Sequence, residues 1–117
     1  MSRKTCAAVL ALALVLPNAA YASERPRDCY GIAWCGCWLR HHFGISDKRL
    51  NLARNWATLR PRVSGPCVGC IAVWRHHVGV MTAHGKSPST AVIKSGNDSH
   101  AVRERERSIR NVIAWVR

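Results

Sequence analysis

The spacing of apolar residues changes once along the chain, and the change separates two kinds of predicted secondary structure. From Gly31 to Phe43, apolar side chains recur three and four positions apart, as they do on one face of a helix, and Gly44 follows where a helix would end. A second helix is predicted after Ser46, its expected N-cap, because residues 50–57 repeat apolar positions along one side. Arg60 to Pro66 then interrupts the pattern with proline and glycine.

Beyond that break, the pattern becomes one of short apolar or alternating runs separated by turn residues. Such runs are typical of β-strands that pair with their neighbours along the chain. The segments expected to form strands are 70–75, 77–83, 90–95, 100–107 and 111–116. Helices followed by an antiparallel sheet predict an α+β fold.

The first 22 residues have the pattern of a cleaved export signal. A basic start, Ser2 to Lys4, precedes an apolar run from Cys6 to Leu16, and Ala20 and Ala22 are small residues at the positions that a signal peptidase recognises. The run is shorter than the roughly 20 residues that span a bilayer. We therefore expect a signal peptide over 1–22, a single exported domain over 23–117, periplasmic or extracellular, and no transmembrane segment after cleavage.

The exported part of the chain is strongly basic. Cleavage would leave 16 lysines and arginines against 6 acidic residues, a net charge of +10 on 95 residues. Such a surface favours polyanions. In an exported protein these are carboxylates and phosphates of the cell envelope, and no specific nucleic-acid partner is expected.

The exported part would also keep an odd number of cysteines. The five are Cys29, Cys35, Cys37, Cys67 and Cys70. In an oxidising compartment an odd count indicates an intermolecular bridge or one free thiol, and two disulfides plus one reactive cysteine is the simplest arrangement. If Cys35 is the free residue, the other four allow three pairings, among which the sequence does not choose.

Cys35 is the candidate nucleophile because of its place in the first predicted helix. Unpaired N–H groups and the positive end of the dipole at a helix N-terminus favour a thiolate and can stabilise an oxyanion. By position alone, a cysteine on an apolar helix is more often a core or disulfide residue. A nucleophile also requires a base.

His77 is the best candidate for that base. His76 and His77 point to opposite faces of a predicted strand, so that only one can face the helix. Gly79 shares the face of His77, and its missing side chain would let the helix carrying Cys35 approach. This combination favours His77.

A third group usually orients such a base. If segments 77–83 and 91–97 form a hairpin, the register that pairs His77 with Asn97 also pairs Ala83 with Ala91, and the Asn97 amide could then hold the imidazole. Asp98 is the competing orienting group. The Gly-Asn-Asp sequence could equally be a plain turn.

These motifs, in this order, resemble small NlpC-type and CHAP-like cysteine peptidases, which are papain-like bacterial cell-wall amidohydrolases. The resemblance covers nearly all of residues 23–117. It is carried by residues 30–43 with their Trp-Cys, by the Pro-x-x-Gly step at 66–69, by His77-Val-Gly79, by 95–98 and by 110–115.

The resemblance implies a papain-like α+β fold with Cys35 as nucleophile, His77 as base and Asn97 as orienting residue. The expected function is cleavage of an amide bond in peptidoglycan stem peptides by a monomer that needs no cofactor and no metal. The chain departs from the family pattern at Cys70, which stands where an acidic residue is common, and in the additional Cys37 and Cys67.

Two other functions fit parts of the sequence. Cys35, Cys37, Cys67 and Cys70 could form a four-cysteine zinc site, although Cys-x-Cys is an unusual spacing and exported thiols tend to oxidise. Alternatively, the same fold could be a non-catalytic module that binds cell-wall polymer. The five tryptophans lie in apolar contexts, which favours core packing over a saccharide platform.

Overall fold

The computed structural model describes residues 25–117, and the predicted export signal lies outside this range. None of the helices in the described range is long and apolar enough to cross a lipid bilayer. Helical turns come first and a five-stranded antiparallel sheet follows, so the predicted α+β class is confirmed.

The first helix begins later than the sequence indicates. A short 3-10 turn, Arg27–Cys29, is followed by helix α1, Cys35–Phe43. Gly31 has a positive φ of 83°, a conformation that a helix cannot contain, and Trp34 at φ −114° is the N-cap. At the other end, Gly44 adopts the left-handed conformation and closes the helix as predicted.

The second predicted helix is broken into three pieces. Two 3-10 turns, Lys48–Asn51 and Ala53–Asn55, lead into a single α-helical turn, α2, Trp56–Leu59. The cap is Asp47, whose carboxylate accepts a hydrogen bond from the Arg49 N–H, and Ser46 does not have this role. The apolar repeat is nevertheless buried, which shows that periodicity located the buried face and not the helix type.

The sheet has the strand order β4-β3-β2-β1-β5. Its edges are β4 and β5, and its central strands carry most of the apolar residues. The strand bounds are β1, Ile71–Val73; β2, Val78–His84; β3, Thr90–Asp98; β4, Ala101–Ser108; and β5, Ala114–Val116.

The hairpin of β2 and β3 has the predicted register at one end only. Val80 pairs with Lys94, as the expected pairing of positions 77 and 97 requires. An irregularity between Met81 and Ala83 shifts the remainder by one residue, so that Ala83 pairs with Val92 and not with Ala91. Because a bulge adds a residue to one strand only, the pattern of apolar residues did not reveal it.

The two faces of the sheet bury different side chains. On the first face, Val78 and Val80 pack with α1 in a large apolar cluster that includes Trp38 and Leu39. On the second face, a smaller cluster is partly covered by the connection between β4 and β5. Its buried members are Ala72, Met81, Ala91 and Ile93, and Trp74, Ile109, Val112 and Trp115 pack against them.

Candidate functional site

Cys35 is the free cysteine of the described range. The other four form the disulfides Cys29–Cys37 and Cys67–Cys70, with Cα atoms 5.8 and 5.3 Å apart. The first disulfide ties the start of α1 to the preceding 3-10 turn, and the second joins Cys67 of the Pro-x-x-Gly step to Cys70, the residue directly after it. Of the three pairings left open by the sequence, this one joins near neighbours and leaves the candidate nucleophile unpaired.

The thiol of Cys35 is surrounded by main-chain groups. Its side chain is buried, and Sγ lies 4.0 Å from the carbonyl oxygen of His76. Burial raises the pKa of the thiol, and the N–H groups of Val78, Gly36 and Cys35 oppose this shift only in part. The expected thiolate at the helix N-terminus is therefore corrected to a protonated thiol at neutral pH, because desolvation outweighs the helix end.

The thiol lies beside residue 77 in the plane of the sheet. In an extended strand, the carbonyl of one residue and the N–H of the residue two positions later point to the same side, which here applies to the His76 carbonyl and the Val78 N–H. The Met81 N–H and the His77 carbonyl bond toward β1, so the Val78 N–H points the other way, toward β3. The thiol of Cys35 lies at this N–H of Val78, the first residue of β2. The register of β3 becomes irregular nearby, between Ser95 and Asp98.

The imidazole of His77 leaves the same backbone toward the second face. Its Nε2 atom is 2.9 Å from the Ser95 hydroxyl oxygen, and its ring lies 5.8 Å from the ring of Trp74. Burial, and after it the positive charge of Arg107, lowers the pKa of His77 to about 4. The ring is therefore neutral at physiological pH, as a general base must be before it accepts a proton.

The structure brings Cys35 together with the main chain at His77, but it assigns the expected glycine a different role. An added Cβ on Gly79 would lie 2.8 Å from the Cβ of Ser95, on the second face. The glycine that admits helix α1 is Gly96, where an added Cβ would lie 2.6 Å from the Cβ of Trp38 and 3.0 Å from the Trp34 ring.

The imidazole is hydrogen-bonded to Ser95, a residue that the sequence analysis did not propose. Asn97 has a positive φ of 54° and lies in the irregular end of β3, so its position serves the turn that the sequence also allowed. Asp98, the competing candidate, is bound by the Arg105 guanidinium through both carboxylate oxygens. Ser95 lies two residues before Asn97 on β3, and its complete burial, which only the structure reveals, distinguishes it from the other serines of the strand region.

The disulfides remove the four-cysteine zinc site, because they bind three of its four sulfur atoms to other cysteines. A different group, Asp28, Cys29, Cys37 and His41, has its ligand atoms within 4.8 Å of one another. Two of these sulfurs form a disulfide. The Arg40 guanidinium also lies 3.2 Å from the Asp28 carboxylate and 3.9 Å from the Cys37 sulfur, so a cation already occupies this cluster.

The tryptophans do not form an exposed platform. Trp34, Trp38 and Trp56 are buried, and Trp74 and Trp115 are half-buried against the second cluster. A cavity of about 260 Å³ lies just before Cys35 in the chain, between residues 32–33 and 51–52, and a second one of about 240 Å³ lies beside Trp38. The first is mostly apolar.

Comparison of the chain with protein-family models, with curated proteins and with solved structures finds no match in any of the three. The candidate site therefore depends on its own geometry.

Proposed function

We propose that this chain is an exported thiol amidohydrolase of papain-like architecture that cleaves an amide bond in peptidoglycan stem peptides. One observation carries the proposal. Among residues 25–117, every cysteine but Cys35 is disulfide-bonded, and this thiol lies at the first residue of α1 against the main chain of His76 and Val78, the two neighbours of His77. The family resemblance of the sequence and the expected export signal supply the substrate and the compartment.

In the proposed mechanism the reaction starts from a neutral pair and not from a preformed thiolate and imidazolium. Nε2 of His77 is hydrogen-bonded to the Ser95 hydroxyl, so Nδ1 is the ring nitrogen that would accept the thiol proton. The sulfur attacks the carbonyl carbon of the substrate, and the N–H groups at the start of α1 stabilise the oxyanion. The imidazolium then protonates the leaving amine, and water hydrolyses the thioester.

The basic surface supports an anionic target. Positive charge increases encounters with carboxylate- and phosphate-bearing polymers, and the effect decreases as salt screens it. The apolar cavity at residues 32–33 and 51–52 is a candidate site for the acyl part of the substrate, since two of its lining residues, Ile32 and Ala33, stand three and two positions before the nucleophile in the chain.

Purified cell wall and soluble stem peptides test the proposal with a Cys35→Ala variant. We expect the wild type to release new amino termini, the variant to release none, and both to sediment equally with the insoluble wall. Equal behaviour of the two proteins in every assay would contradict hydrolysis and favour the binding module.

A further inference from the structure

The second face of the sheet carries a cluster of positive charge beside His77. Arg103, Arg105 and Arg107 alternate along β4, opposite Ser95, Ile93 and Ala91 of β3. Residues paired across a sheet project from the same face, so these arginines share the face of Ser95 and of the imidazole that it binds.

A single buried carboxylate serves this cluster. The side chain of Asp98 is 3% exposed, and its Oδ2 accepts a hydrogen bond of 2.8 Å from Arg105 Nε while a second nitrogen of the same guanidinium binds Oδ1. Arg103 Nε donates to the main-chain oxygen of Asp98 at 2.8 Å. Two of the three arginines are therefore bound to Asp98, and the carboxylate neutralises only one charge.

Arg107 is held less closely than the other two arginines. Its Nη1 is 3.9 Å from the Asp98 carboxylate, which is too long for a hydrogen bond, and this buried atom has no acceptor among residues 25–117. The guanidinium lies 5.2 Å from the centre of the Trp74 ring, and the side chain is 27% exposed. A guanidinium offers five donors in a planar fork that matches a carboxylate, so this partly exposed one, whose ion pair with Asp98 is long, keeps donors for a second anion.

The position of Arg107 connects this site to the proposed chemistry. Its positive charge acts on both His77 and Cys35, lowering the pKa of the imidazole and opposing the rise in the pKa of the thiol. An anion bound at Arg107 would therefore lie within electrostatic range of both groups.

We propose that Arg107, with Arg105 beside it and Trp74 as its floor, binds a carboxylate of the peptide substrate next to the amide that is cleaved. The inference rests on the proposed function. It makes the substrate an acidic peptide, and it makes Arg107 a residue that determines specificity. The carboxylate could be a terminal α-carboxylate or that of an acidic side chain.

Binding to a catalytically inactive protein tests the site without requiring turnover. In the Cys35→Ala background, we expect an acidic stem peptide to bind at least about ten-fold more tightly than the same peptide with its carboxylates amidated, as for a hydrogen bond to a charged group. Arg107→Gln should abolish this difference, and Arg107→Lys should restore part of it. Arg54→Gln, which removes an exposed charge in the 3-10 turn before α2, should leave it unchanged.

Peptides amidated at only the α-carboxylate or only the side chain identify which group Arg107 holds. Equal affinity for all peptides, or a difference that survives Arg107→Gln, would overturn the carboxylate site. Equal hydrolysis of acidic and amidated peptides by the wild type would overturn it as well, while the proposed function would stand. Arg107-dependent binding by a wild type that hydrolyses nothing would overturn the proposed function and keep the site.

Discussion

The two faces of the sheet differ in polarity: the first face is packed with apolar side chains, and the second face also carries charged and polar ones. The first face packs α1 onto an apolar cluster that contains Val78, Val80 and the tryptophans of the helix, and it leaves little room for polar groups. The second face combines a small apolar cluster with a neutral histidine, a buried carboxylate and three arginines. Cys35 lies at the boundary, where the helix begins and β3 leaves its regular register. A stable first face thus positions the thiol, and the second face supplies the groups that could use it.

The largest effect is expected on the second face, from His77→Gln. Glutamine keeps polarity but cannot act as a base near neutral pH, so hydrolysis should fall at least about 100-fold, the lower range for general-base catalysis. His76→Gln is the matched control, because the neighbouring side chain is exposed and only its main-chain carbonyl contacts the thiol. Release of amino groups from stem peptides measures both, and equal losses would contradict the assignment.

The same histidine should make stability depend on pH. Its folded-state pKa of about 4 lies below the ordinary value of 6.5, so the unfolded chain takes up a proton first as the pH falls. The contribution of His77 to the free energy of unfolding is therefore fully present above about pH 6.5. It is lost progressively toward about pH 4, by at most about 3 kcal/mol at roughly 1.4 kcal/mol per pKa unit. Urea denaturation at several pH values should show this loss in the wild type and a smaller loss in His77→Gln. Identical curves would contradict a buried neutral ring.

A pair of glycine variants tests the two faces separately. Gly96→Ala should destabilise the protein by about 1–3 kcal/mol, because the new methyl group meets the Cβ of a buried tryptophan in α1. Gly79→Ala meets Ile93 Cγ2 at 2.5 Å, Ser95 Cβ at 2.8 Å and the Lys94 carbonyl oxygen at 3.0 Å on the second face, so we expect a loss of similar size there. Thermal unfolding measures both. A harmless Gly96→Ala would show that the helix does not pack as described.

The smallest effect is expected for Ser95→Ala. It removes one neutral hydrogen bond from His77, which corresponds to about 1 kcal/mol of stability. Since the imidazole loses its orienting partner, hydrolysis should fall more than stability does. Asn97→Ala is the control, and a larger loss of activity for Asn97→Ala than for Ser95→Ala would restore the role that the sequence indicated.

The sequence predicted most of the fold because periodicity reports burial. The strands and the end of α1 at Gly44 follow from local patterns, and they are found where those patterns occur. The broken second helix was not predictable, since apolar spacing does not distinguish an α-helix from successive 3-10 turns. Asn97 as the orienting residue stays a prediction, whereas the hydrogen bond between His77 and Ser95 was not predicted. Val80 still pairs with Lys94 as predicted, but β3 becomes irregular between Ser95 and Asp98, and the pattern of apolar residues does not reveal this irregularity.

The electrostatic properties of the site were also beyond the sequence. The sign of the pKa shift of Cys35 depends on whether burial or the helix N-terminus dominates, and only the packing around the thiol decides this. Arg107 belongs to an alternating run that the sequence shows plainly, but its neighbours Asp98 and Trp74 come from other strands and loops.

Labelling of the folded, disulfide-bonded protein by an electrophilic probe that mimics a peptide amide, with the adduct mapped by mass spectrometry, tests the role of Cys35 most directly. We expect a single adduct on the sulfur of Cys35, formed slowly by simple alkylating reagents but readily by the peptide-like probe, and strongly reduced in His77→Gln. An adduct on another cysteine, no adduct in the folded state, or equal labelling of the wild type and His77→Gln would contradict this role.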